Sequence, residues 1–110
     1  MTTAVISRTS SGQYKGFVCM GHAGYAKNSE PDILCAAISV LITNTINSLE
    51  ELAGEKFTCV TNEETGFIKC DFTDTLQEKS IFLLDSMVYG LKTLSRSYGK
   101  KYLQVKIEEV

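Results

Sequence analysis

The sequence predicts an α+β fold, a two-layer sandwich in which two helices cover one face of a mainly antiparallel sheet, in the order ββαββαβ. Two long stretches carry apolar residues at helical spacing, five shorter runs are rich in β-branched and aromatic residues, and turn sequences separate them. Helices gathered on one face bury both apolar surfaces with only two layers. At 110 residues without an internal linker, the chain is expected to be one domain over residues 1–110.

Two hairpins supply four of the strands. Thr3 to Thr9 and Tyr14 to Met20 are β-rich runs joined by serine and glycine turn residues, and they predict the first hairpin. Phe57 to Asn62 and Phe67 to Phe72 bracket the turn Glu63-Glu64-Thr65-Gly66, and they predict the second. The first hairpin therefore ends where Gly21 and His22 begin the next connection.

The first helix is predicted to run from Asp32 to about Leu52, with Gly54 as its stop signal. Pro31 disfavours helical geometry at Glu30, which leaves Asp32, or Glu30 as the alternative, to cap the helix. The segment before this start lacks periodicity and is rich in loop formers, so it is predicted to be a mobile connection.

The second helix and the last strand complete the order. Thr75 and Glu78 match a capping box, and the apolar face that follows continues until Gly99. Tyr102 to Glu108 alternates polar and apolar residues, as expected of a strand packed on one side. Tyr89 and Met87, on the helix, are expected to be core or dimer-contact residues.

The composition limits the partners and the compartment. The formal net charge is −2 and the isoelectric point about 5.3, which gives no positive field for direct nucleic-acid binding. The start MTTAVISRTS lacks a secretory signal, so the four cysteines are expected to be reduced in the cytoplasm. No continuous apolar run approaches the roughly 20 residues of a membrane span. Because so short a domain is marginally stable alone, a homodimer is expected.

One histidine restricts any cysteine–histidine chemistry to His22. Cys35 is its best partner, because a helix N-terminus offers unpaired N–H groups and a partial positive charge that favour the thiolate. The backbone N–H groups of Cys35 and Ala36 are then predicted to stabilise an oxyanion during acyl transfer. The dyad would let the thiolate attack a carbonyl while the imidazole moves the proton.

Asp32 and Ser39 are the expected supporting residues. Asp32 disfavours the Cys35 thiolate by its charge, so its expected role is to fix the helix start, with orientation of His22 as the alternative. Ser39 lies one helical turn after Cys35 on the same face, where its hydroxyl could bond a carbonyl or the site. The other cysteines fall in predicted strands and are expected to be structural; they are Cys19, Cys59 and Cys70.

The residues alone leave two other interpretations open. A lone histidine and a buried cysteine are more often structural than catalytic in a chain of this size. Cys19 and His22 also have ligand-like spacing, with Cys35 as a possible third zinc ligand, but no second pair completes a tetrahedral site. We therefore expect neither a metal nor a cofactor.

The string from Gly21 to Ala26, followed by Asp32-Ile33-Leu34-Cys35-Ala36-Ala37-Ile38-Ser39, closely resembles the ribosomal-processing cysteine protease family, Prp. The resemblance extends over the whole chain and its order of elements. It implies that Gly21, His22, Asp32, Cys35 and Ser39 occupy the family's characteristic positions, with His22 and Cys35 as the catalytic pair. It further implies a homodimeric endopeptidase that removes an N-terminal extension, after an aromatic pair, from the bacterial large-subunit ribosomal protein numbered twenty-seven.

The resemblance also implies a loop that closes over the substrate. In this sequence it comprises Ala23, Gly24, Tyr25, Ala26, Lys27, Asn28, Ser29, Glu30 and Pro31. Glu30 stands where the family usually has glycine, and Pro31 is unusual, so this loop is expected to have less conformational freedom than its relatives. The dyad is unaffected by this departure.

The alternative function is a non-catalytic ribosome-assembly adaptor that binds the same precursor segment by strand addition or in a groove. Cleavage of the precursor separates the two hypotheses, because an adaptor leaves it intact. Thiol redox catalysis is disfavoured since the sequence has no Cys-x-x-Cys pair.

Overall fold

The computed structural model describes residues 1–24 and 32–110, and within them it confirms the predicted α+β fold and element order. The helices are α1 (Ile33–Glu51) and α2 (Glu78–Tyr98). The strands are β1 (Thr2–Arg8), β2 (Tyr14–Met20), β3 (Thr58–Asn62), β4 (Phe67–Asp71) and β5 (Leu103–Glu109).

The strands form one sheet in the order β3-β4-β2-β1-β5. All neighbours are antiparallel except β1 and β5, which are parallel because α2 carries the chain back across the sheet. The register sets Ala4 opposite both Cys19 and Val105, so one row of side chains crosses the centre of the sheet. The sheet places the end of β2 beside the β3–β4 hairpin, which brings together two parts of the chain that are distant in sequence.

The core lies between one face of the sheet and the two helices. Alternation along β1 and β2 directs one set of side chains toward the helices, and this set is buried. Burial of each large apolar side chain stabilises the fold by about 1.5–3 kcal/mol. The largest fully buried apolar side chains come from both layers; they are Ile6, Leu34, Ile42, Leu49, Leu84, Met87, Leu91 and Leu103.

Helix α1 carries the residues that matter most below. It is 19 residues long, and its most apolar window has a mean hydropathy of 1.5, so by length and composition it could cross a membrane. In the sandwich, Leu34, Ile38, Ile42 and Leu49 are buried in the core. The core helix of a small two-layer domain has this same composition.

The start of α2 differs from the prediction. Its N-cap is Gln77, so the capping box expected from Thr75 and Glu78 is wrong. Glu55, from the segment after α1, takes over the capping role: its carboxylate accepts bonds from the Gln77 backbone N–H at 3.2 Å and from the Ser80 hydroxyl at 2.7 Å. An acceptor that is distant in sequence thus binds the free backbone N–H at the start of α2, where the sequence predicts a local capping residue.

Replacing Glu55 with alanine is expected to lower the free energy of unfolding by about 1–3 kcal/mol, because the fully buried Ser80 hydroxyl loses its acceptor. The bonds from Ser80 and Gln77 hold the pKa of Glu55 below its ordinary value of 4.5. The stabilisation that the ionised Glu55 carboxylate gives the fold is therefore fully present above pH 4.5, and it is lost as the pH falls through the lowered pKa. Urea unfolding of the wild type and the variant at neutral and acid pH measures both effects.

The matched control is Glu51→Ala, which removes an exposed carboxylate near the end of α1. It should leave the unfolding free energy nearly unchanged at both pH values. If Glu55→Ala destabilises the protein no more than Glu51→Ala, the capping role of Glu55 is wrong.

Candidate active site

A cleft of about 450 Å³ opens between α1 and the β3–β4 hairpin. His22 and Cys35 both line it, together with Gly21 and Ser39. Its inner surface is apolar and is formed largely by Ile38 and Ile42 of α1 and Ile68 of β4; the remaining lining residues are Thr2, Cys19, Thr43, Thr61, Asn62, Glu63, Gly66 and Phe67. Four of the sequence-predicted site residues thus line one cavity, which is large enough for peptide side chains.

Cys35 lies in the first turn of α1 and is half-buried. Asp32 caps the helix as predicted: its carboxylate accepts the Cys35 backbone N–H at 2.9 Å. The Ala36 N–H donates to the Asp32 carbonyl at 3.0 Å. Both amides that were expected to hold an oxyanion therefore already have a partner, and their oxyanion role stays a prediction.

His22 follows β2 on a tightly packed connection. Gly21 has φ +86° and lies against the Met1 carbonyl, where an added Cβ would approach to 2.5 Å. Only glycine fits this close approach, which explains the residue before the histidine. The packing against Met1 and β1 fixes the direction in which the chain leaves the sheet, so that the His22 side chain reaches the cleft.

Both imidazole nitrogens of His22 face a partner. Nδ1 lies 3.9 Å from the Cys35 Sγ, and Nε2 lies 3.1 Å from the Glu64 backbone carbonyl oxygen. A carbonyl oxygen only accepts hydrogen bonds, so Nε2 carries the proton and the lone pair of the neutral ring is at Nδ1. The arrangement therefore points the basic nitrogen of the imidazole at the thiol.

The β3–β4 turn is built to present this carbonyl. The Asn62 side-chain oxygen accepts the backbone N–H groups of Glu64 at 3.1 Å and Thr65 at 3.4 Å, which orders the turn. Gly66 has φ +66°, and an added Cβ would lie 2.7 Å from the Gly21 carbonyl oxygen and 3.1 Å from Cε1 of His22. The sequence predicted a glycine-containing turn here, but not its contact with His22.

The other predicted supporting residues have separate positions. Ser39 is exposed and lines the cleft one turn after Cys35, as its spacing predicted. Since Nδ1 and Nε2 of His22 face Cys35 and Glu64, the carbonyl of Glu64 occupies the orienting position considered for Asp32. Of the predicted substrate-gating loop, Ala23 is buried and Gly24 is exposed, while residues 25–31 lie outside the described residues.

Cys19 is a second cysteine in the same cleft, and its environment differs from that of Cys35. Its side chain is buried, and this burial, reinforced by the nearby Cys35, raises the pKa of the Cys19 thiol to about 11. Cys19 therefore stays protonated at neutral pH and acts as a small apolar residue, which agrees with its expected structural role. Only deprotonated thiols are nucleophilic, so the cleft discriminates between its two cysteines.

Iodoacetamide is accordingly expected to alkylate Cys35 but not Cys19 in the native protein at neutral pH, with Cys19 becoming reactive only as the pH approaches about 11. Tryptic peptides separate the two thiols, since Cys19 lies in residues 16–27 and Cys35 in residues 28–56. Mass spectrometry of these peptides over time gives the alkylation rate of each cysteine. Equal rates for the two cysteines at neutral pH would contradict the assignment.

Comparison with known proteins shows the family of this chain. The sequence model of the family described as cysteine protease Prp matches residues 1–104. The chain belongs to the cysteine protease Prp family. The ribosomal processing cysteine protease Prp of Bacillus subtilis is 26% identical over 102 residues, covering 89% of this chain and 90% of that protein. The Prp of Staphylococcus aureus is 23% identical over 100 residues, covering 91% of this chain and 93% of that protein.

Two solved structures share the fold of this chain. The S. aureus ribosomal processing protease Prp in complex with a covalently linked product peptide has a TM-score of 0.89 at 21% identity, covering 98% of this chain and all of that one. A Streptococcus mutans protein has a TM-score of 0.85 at 28% identity, covering 100% of this chain and 96% of that one. Both structures thus match this chain over nearly its whole length.

Proposed function

We propose that this member of the Prp family is a cysteine endopeptidase that uses a His22–Cys35 dyad to remove the N-terminal extension of a bacterial large-subunit ribosomal protein, the one numbered twenty-seven. The observation that carries the proposal is the position of the His22 Nδ1 beside the Cys35 Sγ, with Nε2 held by the Glu64 carbonyl. This contact lies in a cleft with an apolar inner surface. The names of the bacterial relatives, ribosomal processing proteases, support the class of substrate.

The proposed reaction follows from the direction of the two nitrogens. The thiol proton of Cys35 moves to Nδ1 of His22, and the thiolate sulfur attacks the scissile carbonyl carbon. Collapse of the tetrahedral intermediate breaks the C–N bond, and the imidazolium returns the proton to the leaving amine. Water then attacks the thioester carbon while His22 accepts one of its protons. The C–S bond breaks, the carboxylic acid product leaves, and the proton returns to the sulfur to regenerate the Cys35 thiol.

The inner surface of the cleft favours a large apolar side chain next to the scissile bond. Ile38, Ile42 and Ile68 contribute apolar walls, and Phe67 adds an aromatic side chain. Burial of an aromatic side chain of the substrate against these walls would be favourable by the hydrophobic effect. The apolar lining supports the cleavage position after an aromatic pair that the family resemblance implies.

Incubation of the purified chain with a synthetic peptide spanning the extended N-terminus of the ribosomal protein tests the proposal. Mass spectrometry is expected to find two products whose masses sum to that of the peptide plus one water, cut after the aromatic pair. A peptide that binds but remains whole would instead favour the adaptor, and a peptide that neither binds nor is cut would contradict both hypotheses.

A homodimer and a cytoplasmic location belong to the same proposal. Phe82 and Tyr89 lie two helical turns apart on α2 and remain 74% and 71% exposed, whereas Met87 is fully buried in the core. Exposed aromatic side chains on one helix face are typical of an interaction surface, and a second copy of this chain is the partner we propose. Four free cysteines fit a reducing compartment.

A further inference from the structure

Two cysteines of the β3–β4 hairpin face each other across the strands. Cys59 and Cys70 are directly opposite in the antiparallel register, and their Sγ atoms lie 3.0 Å apart. Both are free thiols. Both are expected from the sequence to be structural; Cys70 is fully buried, whereas Cys59 is exposed.

The backbone already has the geometry of a disulfide. Opposed residues of antiparallel strands have Cα atoms about 4.5–5.5 Å apart, which falls inside the range of about 4.4–6.8 Å found across disulfides. The sulfur atoms need to approach by only about 1 Å from their present 3.0 Å to reach the bonded distance. Small rotations of the two side chains suffice, so the strands need not move.

The two thiols have unequal access to reagents. Cys59 is exposed, so a small oxidant can reach it from solution. Burial, reinforced by the bond to Cys59, raises the pKa of the Cys70 thiol well above its usual range. Cys70 is thus shielded from direct attack, and its sulfur has Cys59 as its immediate neighbour.

We propose that Cys59 and Cys70 form an oxidative modification site, at which a low-molecular-weight disulfide such as oxidised glutathione converts the thiol pair into an intrachain disulfide. The Cys59 thiolate attacks the glutathione disulfide, which forms a mixed disulfide and releases one glutathione thiol. The Cys70 sulfur then attacks the Cys59 sulfur and displaces the second glutathione, which takes up the Cys70 proton and leaves as a thiol. Two protons and two electrons pass from the cysteines to the oxidant.

The position of the bond gives it a structural consequence. β3 is an edge strand that pairs only with β4 among the described strands, and all five of its residues are exposed. The disulfide would enclose residues 60–69, which include the turn that presents the Glu64 carbonyl to His22. Oxidation therefore restricts the conformations of the hairpin beside His22 and Cys35 by a covalent cross-link. The formation of this disulfide does not depend on the proposed protease activity.

Treatment of the native full-length chain with oxidised glutathione, followed by trapping of free thiols and trypsin digestion without reduction, tests the proposal. Cys59 lies in tryptic peptide 57–69 and Cys70 in peptide 70–79, so the disulfide joins two separate peptides. The expected result is this cross-linked pair of peptides, with a mass two hydrogen atoms below the sum of the two. Neither Cys59 nor Cys70 should then carry the thiol-trapping label. Wild-type protein in which Cys59 keeps a glutathione adduct while Cys70 remains a trappable thiol would overturn it.

Two variants test the order of events. In Cys70→Ala the resolving thiol is absent, so Cys59 is expected to accumulate the glutathione adduct. In Cys59→Ser the buried Cys70 is expected to stay unmodified, because the oxidant cannot reach it. Modification of Cys70 in the Cys59→Ser protein, or a wild-type cross-link from Cys59 to Cys35, would contradict the proposal. Circular dichroism of both variants checks that they are folded.

Discussion

Replacement of Cys35 with alanine is expected to abolish cleavage of the ribosomal precursor, with a fall in kcat/KM of roughly 10⁴-fold or more. No other described cysteine has its sulfur hydrogen-bonded to Nδ1 of His22, so none can replace the lost nucleophile. The fold should persist, because alanine keeps the backbone N–H that Asp32 accepts at the start of α1. Mass spectrometry of the precursor peptide over a time course measures the loss, and circular dichroism confirms folding.

Cys19→Ala is the matched control, since Cys19 lines the same cleft and differs in burial and protonation. Its substitution removes one sulfur from the cavity but no nucleophile, so kcat/KM is expected to stay within a few-fold of wild type. The reverse pattern, an inactive Cys19→Ala protein and an active Cys35→Ala protein, would transfer the nucleophile to Cys19. If both variants remain active, the reaction does not use a thiol of this cleft.

The placement of Cys35 was predictable because its causes are local. Pro31 disfavours helical geometry at Glu30, and Asp32 is a good N-cap, so neighbouring residues alone favour a helix start that places Cys35 near the first turn. The same holds for the two hairpins, since serine and glycine mark the first turn and glycine marks the second. Local signals of this kind predicted the order of elements and the position of Cys35 at the start of α1.

Contacts between distant segments were not predictable in the same way. Glu64 reaches His22 through its backbone carbonyl, and a backbone atom leaves no signature in residue identity. The contact arises because β4 pairs with β2, and strand order within a sheet depends on tertiary packing. The bonds from Glu55 to the start of α2 were not predicted for the same reason, because they join segments that only the tertiary packing brings together.

Gly66→Ala is expected to lower kcat/KM by about 10²-fold without unfolding the protein, the scale of loss that follows a displacement of about 1 Å at a catalytic group. The new Cβ would lie 2.7 Å from the Gly21 carbonyl oxygen and 3.1 Å from Cε1 of His22, so the turn or the imidazole must shift. Either shift lengthens the bond from Nε2 to the Glu64 carbonyl. The imidazole then loses the partner that keeps Nδ1 directed at Cys35.

The Gly54→Ala variant is the control that separates the effect of backbone strain from the effect of the contact with His22. Gly54 has φ +65°, almost the same as the +66° of Gly66, but an added Cβ there meets nothing within 4 Å. The strain of the left-handed backbone should therefore cost both variants a similar amount, about 1–2 kcal/mol in the free energy of unfolding. The contact with Gly21 and His22 adds to this cost in Gly66→Ala alone, and only Gly66→Ala is expected to lower activity. Equal losses of activity in the two variants would assign the effect to strain.

A double-mutant cycle with His22→Ala then identifies the residue through which Gly66 acts. The rate of Cys35 alkylation by iodoacetamide is a suitable measure, because it depends on the imidazole and requires no peptide cleavage. Gly66→Ala is expected to slow alkylation in the wild-type background and to have little effect once His22 is alanine, since the side chain that the new methyl group displaces is then absent. A similar slowing in both backgrounds would show that the hairpin acts on Cys35 or on the cleft directly. The predicted non-additivity would make the β3–β4 turn a positioning element for His22, in the role that an acidic side chain fills in many hydrolases.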